Sequence, residues 1–195
     1  YAGDAALALS NTENDSLNST KMNAKMYAEV FRLLGWVTSA GDNSYPLVFT
    51  YIGEHAALAD DVLPLYEQCV LGINNPQEIM DVKYDEKVRF FKATLFSLQD
   101  LGGIMYKHEL CLGPMSIDDL DKSQYNRMIT YLKKLRGSYG RYQDAYQALC
   151  DDLGVKPTLP DNSTRLPIAF MKTCGWVESQ RTQNCIHLNP WNAFA

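Results

Sequence analysis

One pattern occurs twice in this chain, and it limits the folds open to it more than any other feature. Asn18-Ser19-Thr20-Lys21-Met22 leads into an amphipathic run that ends at Gly35-Trp36-Val37. Asn162-Ser163-Thr164-Arg165-Leu166 leads into a second run that ends at Gly175-Trp176-Val177. Each copy reads N-S-T, a basic residue, an apolar residue, a helical run, then G-W-V. The spans from asparagine to glycine are 17 residues (35 − 18) and 13 residues (175 − 162). The difference is about one helical turn. A glycine ends a helix by taking the left-handed conformation that other residues avoid, and Trp-Val favours a strand. Each copy is therefore a polar-headed helix that stops at a glycine and re-emerges extended.

The rest of the chain fits units built that way. Met22, Met26, Val30, Phe31, Leu33 and Leu34 recur at helical spacing ahead of Gly35, with Ser19 or Thr20 as a suitable N-cap. A turn-rich loop, Ser39 to Ser44, separates Trp36-Val37 from a β-rich run at Tyr45 to Tyr51. Further helices are expected over residues 4–9, from Thr50 to about Val62, over 64–72, at Asn74 to Glu78, and over 84–101. In the last of these Val88, Phe91, Leu95 and Leu98 share a face. Residues 104–112 read as a short extended piece and a short helix. A long helix over 121–135 bends near Gly137 and Gly140 and resumes to Gly154. Residues 156–162 read as a proline-containing linker, and Ile186-His187-Leu188 completes a second hairpin with Trp176-Val177. The tail Pro190-Trp191-Asn192-Ala193-Phe194 is apolar, so it either packs on the body or leads into a further domain. The expected class is mainly α with short β-hairpins (α+β). It consists of two winged-helix units joined by a helical connector: 1–66, a linker at 67–83, and 84–195 with a long helical insertion.

Composition narrows the function classes. A length of 195 residues with 46% hydrophobic and 21% charged residues is ordinary for a folded protein. No apolar run is long enough to span a bilayer, and Tyr1-Ala2-Gly3-Asp4 is not a secretory leader. The chain begins with Tyr rather than Met, so either a fragment or a sequence that starts late is expected, with any catalytic parts outside it. The cysteines Cys69, Cys111, Cys150, Cys174 and Cys185 are odd in number and lack a C-x-x-C pair. That argues against a disulfide scaffold or a zinc site and for a reducing, cytoplasmic location. The sequons at Asn14, Asn18 and Asn162 then read as helix-start chemistry. The net charge is −5 but uneven: residues 1–120 hold 8 Lys/Arg against 17 Asp/Glu, and residues 121–195 hold 10 against 6. The basic end is the one suited to phosphates.

In a helix-turn-helix variant the first residues of the recognition helix reach base edges. Asn pairs with adenine and Arg or Lys with guanine, and helix N-termini attract phosphate. The DNA-reading candidates are Asn18, Ser19, Thr20, Lys21, Asn23 and Lys25 in the first unit. In the second they are Asn162, Ser163, Thr164 and Arg165. Lys133, Lys134, Arg136 and Arg141, interleaved with Tyr131, Tyr139 and Tyr142, are candidate phosphate contacts. The plain alternative for each group is a capped, solvated helix turn. Trp36 and Trp176 are expected in the core beneath each hairpin. His55, His108 and His187 show neither metal nor triad spacing, and no glycine loop cradles a phosphate. Asp81-Val82-Lys83 has the short form of a nuclease motif but lacks flanking strands, so no catalytic residue and no metal site is assigned.

Two stretches carry a family resemblance. One is Leu71-Gly72-Ile73-Asn74-Asn75-Pro76-Gln77-Glu78-Ile79. The other runs from Val88-Arg89-Phe90-Phe91 through Leu95, Leu98 and Leu101-Gly102-Gly103-Ile104 to Lys107 and Glu109-Leu110. Together they resemble the recognition portion of AlwI-like and related type II restriction endonucleases, over about residues 70–110 and 160–190. The resemblance implies sequence-specific binding of double-stranded DNA, with the nuclease domain and its Mg2+ elsewhere in the parent chain and no cofactor in this segment. Two rivals remain: a dimeric winged-helix transcriptional regulator, and a protein-interaction module that does not touch DNA. The net charge favours the second.

Overall fold

The computed structural model describes residues 17–40, 47–73, 89–117, 121–180 and 183–193. The described residues are mostly helical with two small antiparallel sheets. It divides into two compact units, Tyr1–Cys69 and Val70–Ala195. The division falls within the segment 67–83 expected as the linker. The helices expected over 4–9 and at 74–78, and the Asp81-Val82-Lys83 motif, lie outside the described residues.

In the first unit, α1 (Leu17–Leu33) is followed by a hairpin of β1 (Val37–Ser39) and β2 (Leu47–Phe49). Val37 pairs with Phe49 and Ser39 with Leu47. Then come α2 (Tyr51–Leu58) and the start of α3 (Leu63–Gly72). Thr50 caps α2 by accepting from the Gly53 N–H at 3.0 Å. Two expectations are corrected here. Asn18, Ser19 and Thr20 lie inside α1 rather than ahead of it. Met26 and Phe31, placed on the buried face by their spacing, are exposed, whereas Ala28 and Leu34 are buried. Trp36 is only half-buried: Phe31 stacks on it at 5.7 Å between ring centroids and Tyr66 meets it edge-on at 6.2 Å.

In the second unit, α4 (Phe90–Asp100) leads into β3 (Ile104–Tyr106) and α5 (Lys107–Leu112). A pair of long helices follows, α6 (Lys122–Arg136) and α7 (Tyr139–Leu153). Two short helices come next, α8 (Thr158–Ser163) and α9 (Arg165–Thr173). The chain ends in a hairpin, β4 (Val177–Gln180) and β5 (Cys185–Leu188), and a last turn, α10 (Pro190–Ala193). The sheet order is β3-β5-β4, so the strand after α4 pairs with the final strand, Met105 opposite Ile186. Helix α4 lies against β3 and β5, and α9 lies against β4. Phe90, Phe91, Leu98, Met105, Leu110, Leu132 and Met171 form the fully buried centre. Phe91 meets Phe170 edge-on at 5.7 Å, which ties α4 to α9.

The segment expected as a proline linker, 156–162, is helical from Thr158, where α8 begins. Pro160 lies in its first turn, where an N–H would have no intrahelical partner, so proline is tolerated. Asp121 caps α6 with bonds from the Ser123 and Gln124 N–H groups, and the bend near Gly137 separates α6 from α7 as the glycines suggest.

The G-W-V end of the repeat is structural, whereas the N-S-T heads are placed differently, inside α1 in the first unit and at the α8–α9 junction in the second. After α1, the Gly35 N–H donates to Arg32 O and the Trp36 N–H to Phe31 O. After α9, the Gly175 N–H donates to Lys172 O and the Trp176 N–H to Met171 O. Both are Schellman caps, with Gly35 at φ 71° and Gly175 at φ 69°. Each tryptophan carbonyl then closes its hairpin, Trp36 O accepting from Thr50 N and Trp176 O from Asn189 N. Even the return contact to the glycine carbonyl is matched: Thr50 Oγ1 donates to Gly35 O, and Asn192 Nδ2 donates to Gly175 O.

Candidate nucleic-acid interface

The second unit places a groove of about 660 Å3 between α9 and the β4–β5 hairpin. Helix α9 buries Pro167, Ile168, Phe170 and Met171, and this turns Arg165, Ala169, Lys172 and Thr173 outward. Arg165 and Lys172 line the groove together with Lys107, and Ser179, Gln180 and Asn184 supply its opposite wall. None of the described residues lining the groove is acidic. Lys107 is positioned by its own backbone: its N–H donates to Asn184 O at 3.1 Å, which ties the start of α5 to the turn end of the hairpin. Three cations facing neutral donors and acceptors across a groove give a local positive potential despite the negative net charge.

The sequence candidates fall into distinct groups. Arg165 and Asn162 are exposed, and Arg165 is in the groove. Ser163 and Thr164 are corrections, because both are buried, at 8% and 0% exposure. Thr164 Oγ1 donates backward to Asp161 O at 2.7 Å. It makes no cap for α9 and instead joins α8 to α9. The Thr164 hydroxyl serves the helix junction, and burial keeps both side chains off the surface. Asn18, Ser19, Thr20, Lys21, Asn23 and Lys25 all lie on α1, and their side chains fall outside the described set.

Lys133 and Lys134 in the last turn of α6, and Arg141 in the first part of α7, are exposed. Arg136 is not free to meet phosphate. Its Nε donates to Glu109 Oε1 at 2.6 Å and its Nη2 to Glu109 Oε2 at 2.8 Å. Its Nη1 donates to Leu101 O at 2.8 Å, and Nη2 also reaches Ile104 O. The Glu109 hydrogen bonds hold the guanidinium above even its usual range. Spacing alone cannot distinguish Arg136 from its exposed neighbours, because its partners lie on α5 and at the ends of α4 and β3.

Lys107 and Lys172 were missed as candidates. The available signal was the i, i+7 spacing of Arg165 and Lys172 on one helix face. Trp176 is buried beneath its hairpin, as expected. Among the described residues no His/Cys/Asp/Glu group is placed to hold a metal ion, and no helix is long and apolar enough to cross a membrane. No family model, curated protein or solved structure matches the chain.

Proposed function

We propose that the second unit is a winged-helix module that recognises duplex DNA in a sequence-specific way, as the recognition portion of a type II restriction endonuclease does. The observation that carries the reading is the acid-free groove in which Arg165, Lys172 and Lys107 face the hairpin. The order α4, β3, further helices, α9, β4, β5, with β5 between β3 and β4, supports the winged-helix assignment. In it α9 is the recognition helix, β4–β5 is the wing, and α6–α7 is an inserted pair. Arg165 and Lys172 read guanine edges in the major groove, and Lys107 and the wing hold phosphates. Cleavage belongs to a nuclease domain of the parent protein under this reading.

The test is fluorescence anisotropy of the full chain with a labelled duplex at low and moderate salt. Arg165→Ala is expected to cost about 1–3 kcal/mol of specific binding with the fold intact. Lys107→Ala is expected to weaken all duplexes alike and to lower the salt slope by about 1. Unchanged affinity in both variants would contradict the reading.

For the first unit the charge favours the protein-interaction reading. Residues 1–69 hold 3 Lys/Arg against 9 Asp/Glu, and Phe49, Tyr51 and Leu58 are exposed. Replacing Lys21 and Lys25 by Ala is then expected to leave duplex affinity unchanged, and a loss would return the first unit to the DNA-reading role.

A further inference from the structure

A second concavity of the same unit, of about 670 Å3, is assigned no role by the DNA reading. Its volume lies within the range of about 300–1,000 Å3 usual for small-ligand sites. Tyr106, Tyr139 and Tyr142 line it together with the carboxamide-bearing residues Gln143, Gln183 and Asn184, of which Gln183 also accepts through Oε1 from the Cys185 thiol at 3.8 Å. Tyr139 is 80% exposed and Tyr106 43%, so both rings present surface for stacking.

The cavity offers a ligand no unspent charge. Arg136 and Glu109 both line it, but they are occupied with each other and with backbone groups. The Tyr106 N–H takes a further Glu109 lone pair at 2.9 Å. His108 lies flat against Tyr146, at 3.7 Å between centroids and 9° between planes, with Tyr142 on the same stack at 5.8 Å. Burial lowers the pKa of its imidazole below the ordinary value. An anion or cation entering the cavity would lose hydration without gaining a counter-charge. A flat, neutral molecule with donors and acceptors on its edge suits aromatic faces and amide groups.

We infer that this cavity binds an uncharged planar nitrogen heterocycle of the nucleobase type, stacked on tyrosine and held at its edge by the carboxamides of Gln143, Gln183 and Asn184. Asn184 carries a positive φ of 53° and also lines the groove between α9 and the hairpin, so the two sites share a wall. The heterocycle has two sources, a free base or nucleoside, or a base turned out of a bound duplex. Only the second source rests on the DNA-binding reading.

The test titrates the full chain with a fluorescent aminopurine riboside, whose emission is quenched on stacking. Adenosine, guanosine, cytidine and thymidine then compete. Saturable quenching is expected, weakened about tenfold by Tyr139→Ala, with Gln143→Leu changing the order of competition. Arg165→Ala, outside the cavity, is expected to leave the quenching unchanged. A duplex carrying the aminopurine opposite an abasic position tests the second source. There Tyr139→Ala is expected to weaken binding without weakening that of a fully paired duplex. Tyr139-dependent binding in either arm supports the site. The absence of both, or binding indifferent to Tyr139→Ala and Gln143→Leu, overturns it. Nucleoside binding that persists when paired duplex does not bind would contradict the DNA reading alone.

Discussion

Arg136 grips Glu109 through two guanidinium nitrogens, at 2.6 Å and 2.8 Å. Glu109 is fully buried while Arg136 keeps an edge in solvent. The same guanidinium holds the carbonyls of Leu101 and Ile104. One side chain at the end of α6 thus fixes the end of α4, the start of β3 and the first turn of α5. Arg136→Ala strands a buried carboxylate and is expected to cost about 3–5 kcal/mol of stability. Arg136→Lys is expected not to restore it, because an ammonium cannot reproduce the planar fork. Lys133→Ala, one turn earlier and exposed, is expected to stay within about 0.5 kcal/mol. Urea denaturation of the three variants checks the ordering, and equal effects of Arg136→Ala and Lys133→Ala would contradict it.

The paired glycine caps give a graded prediction. Gly35→Ala places a side chain at φ 71° with nothing within 4 Å of the new Cβ. Its cost is the left-handed backbone alone, about 1–2 kcal/mol. Gly175→Ala adds a Cβ 2.9 Å from Asn192 Nδ2 at φ 69°, so the bond from Asn192 to Gly175 O is displaced as well. It is expected to cost more than Gly35→Ala. Gly53→Ala is expected to be severe, since the new Cβ would lie 1.9 Å from Trp36 O. Thermal unfolding of the three variants tests the series, and a neutral Gly53→Ala would contradict the close packing of α2 on the Gly35-Trp36 turn.

The repeat was readable because Schellman caps need glycine and strands favour Trp-Val, so local chemistry wrote the same signature twice. The α6–α7 pair was equally plain, with Asp121 as its cap and Gly137 and Gly154 as its stops. Long-range placement was not readable. Ser163 and Thr164 look like cap residues, but α8 forms ahead of them and the junction buries both. Arg136 looks like part of a basic stripe, yet its partners are 27 to 35 residues away in sequence. The heterocycle cavity is assembled from residues near 104–109, 136–143 and 183–184, and no spacing within one segment announces it.

His108 gives the fold a pH dependence. Burial lowers its pKa below the ordinary 6.5, with Asp161 opposing the shift and Lys107 adding to it. The unfolded chain therefore binds more protons than the folded one below that value, and stability falls as pH drops from 6.5 through the folded pKa. Above that window His108 contributes no slope. His108→Phe keeps a ring in the stack and is expected to flatten the change in Tm between about pH 7.5 and pH 5. An unchanged slope would assign the effect to other groups.

The thiols are graded by burial. Cys111 and Cys150 are fully buried, and burial pushes both pKa values up, whereas Cys69 is half-buried. Iodoacetamide at neutral pH is expected to modify Cys69 first and Cys111 only on unfolding, because the thiolate is the reactive form. Peptide mapping against time reads the order, and early labelling of Cys111 would contradict the packing of α5.

The central claim is that α9 and its hairpin read duplex DNA. The most direct measurement is selection of bound duplexes from a random pool by the full chain at low salt, followed by sequencing, run in parallel with Arg165→Ala. Enrichment of an asymmetric site of several base pairs, relaxed at one or more positions in the variant, is the predicted result. No enrichment, or the same enriched site from Arg165→Ala, would contradict the account.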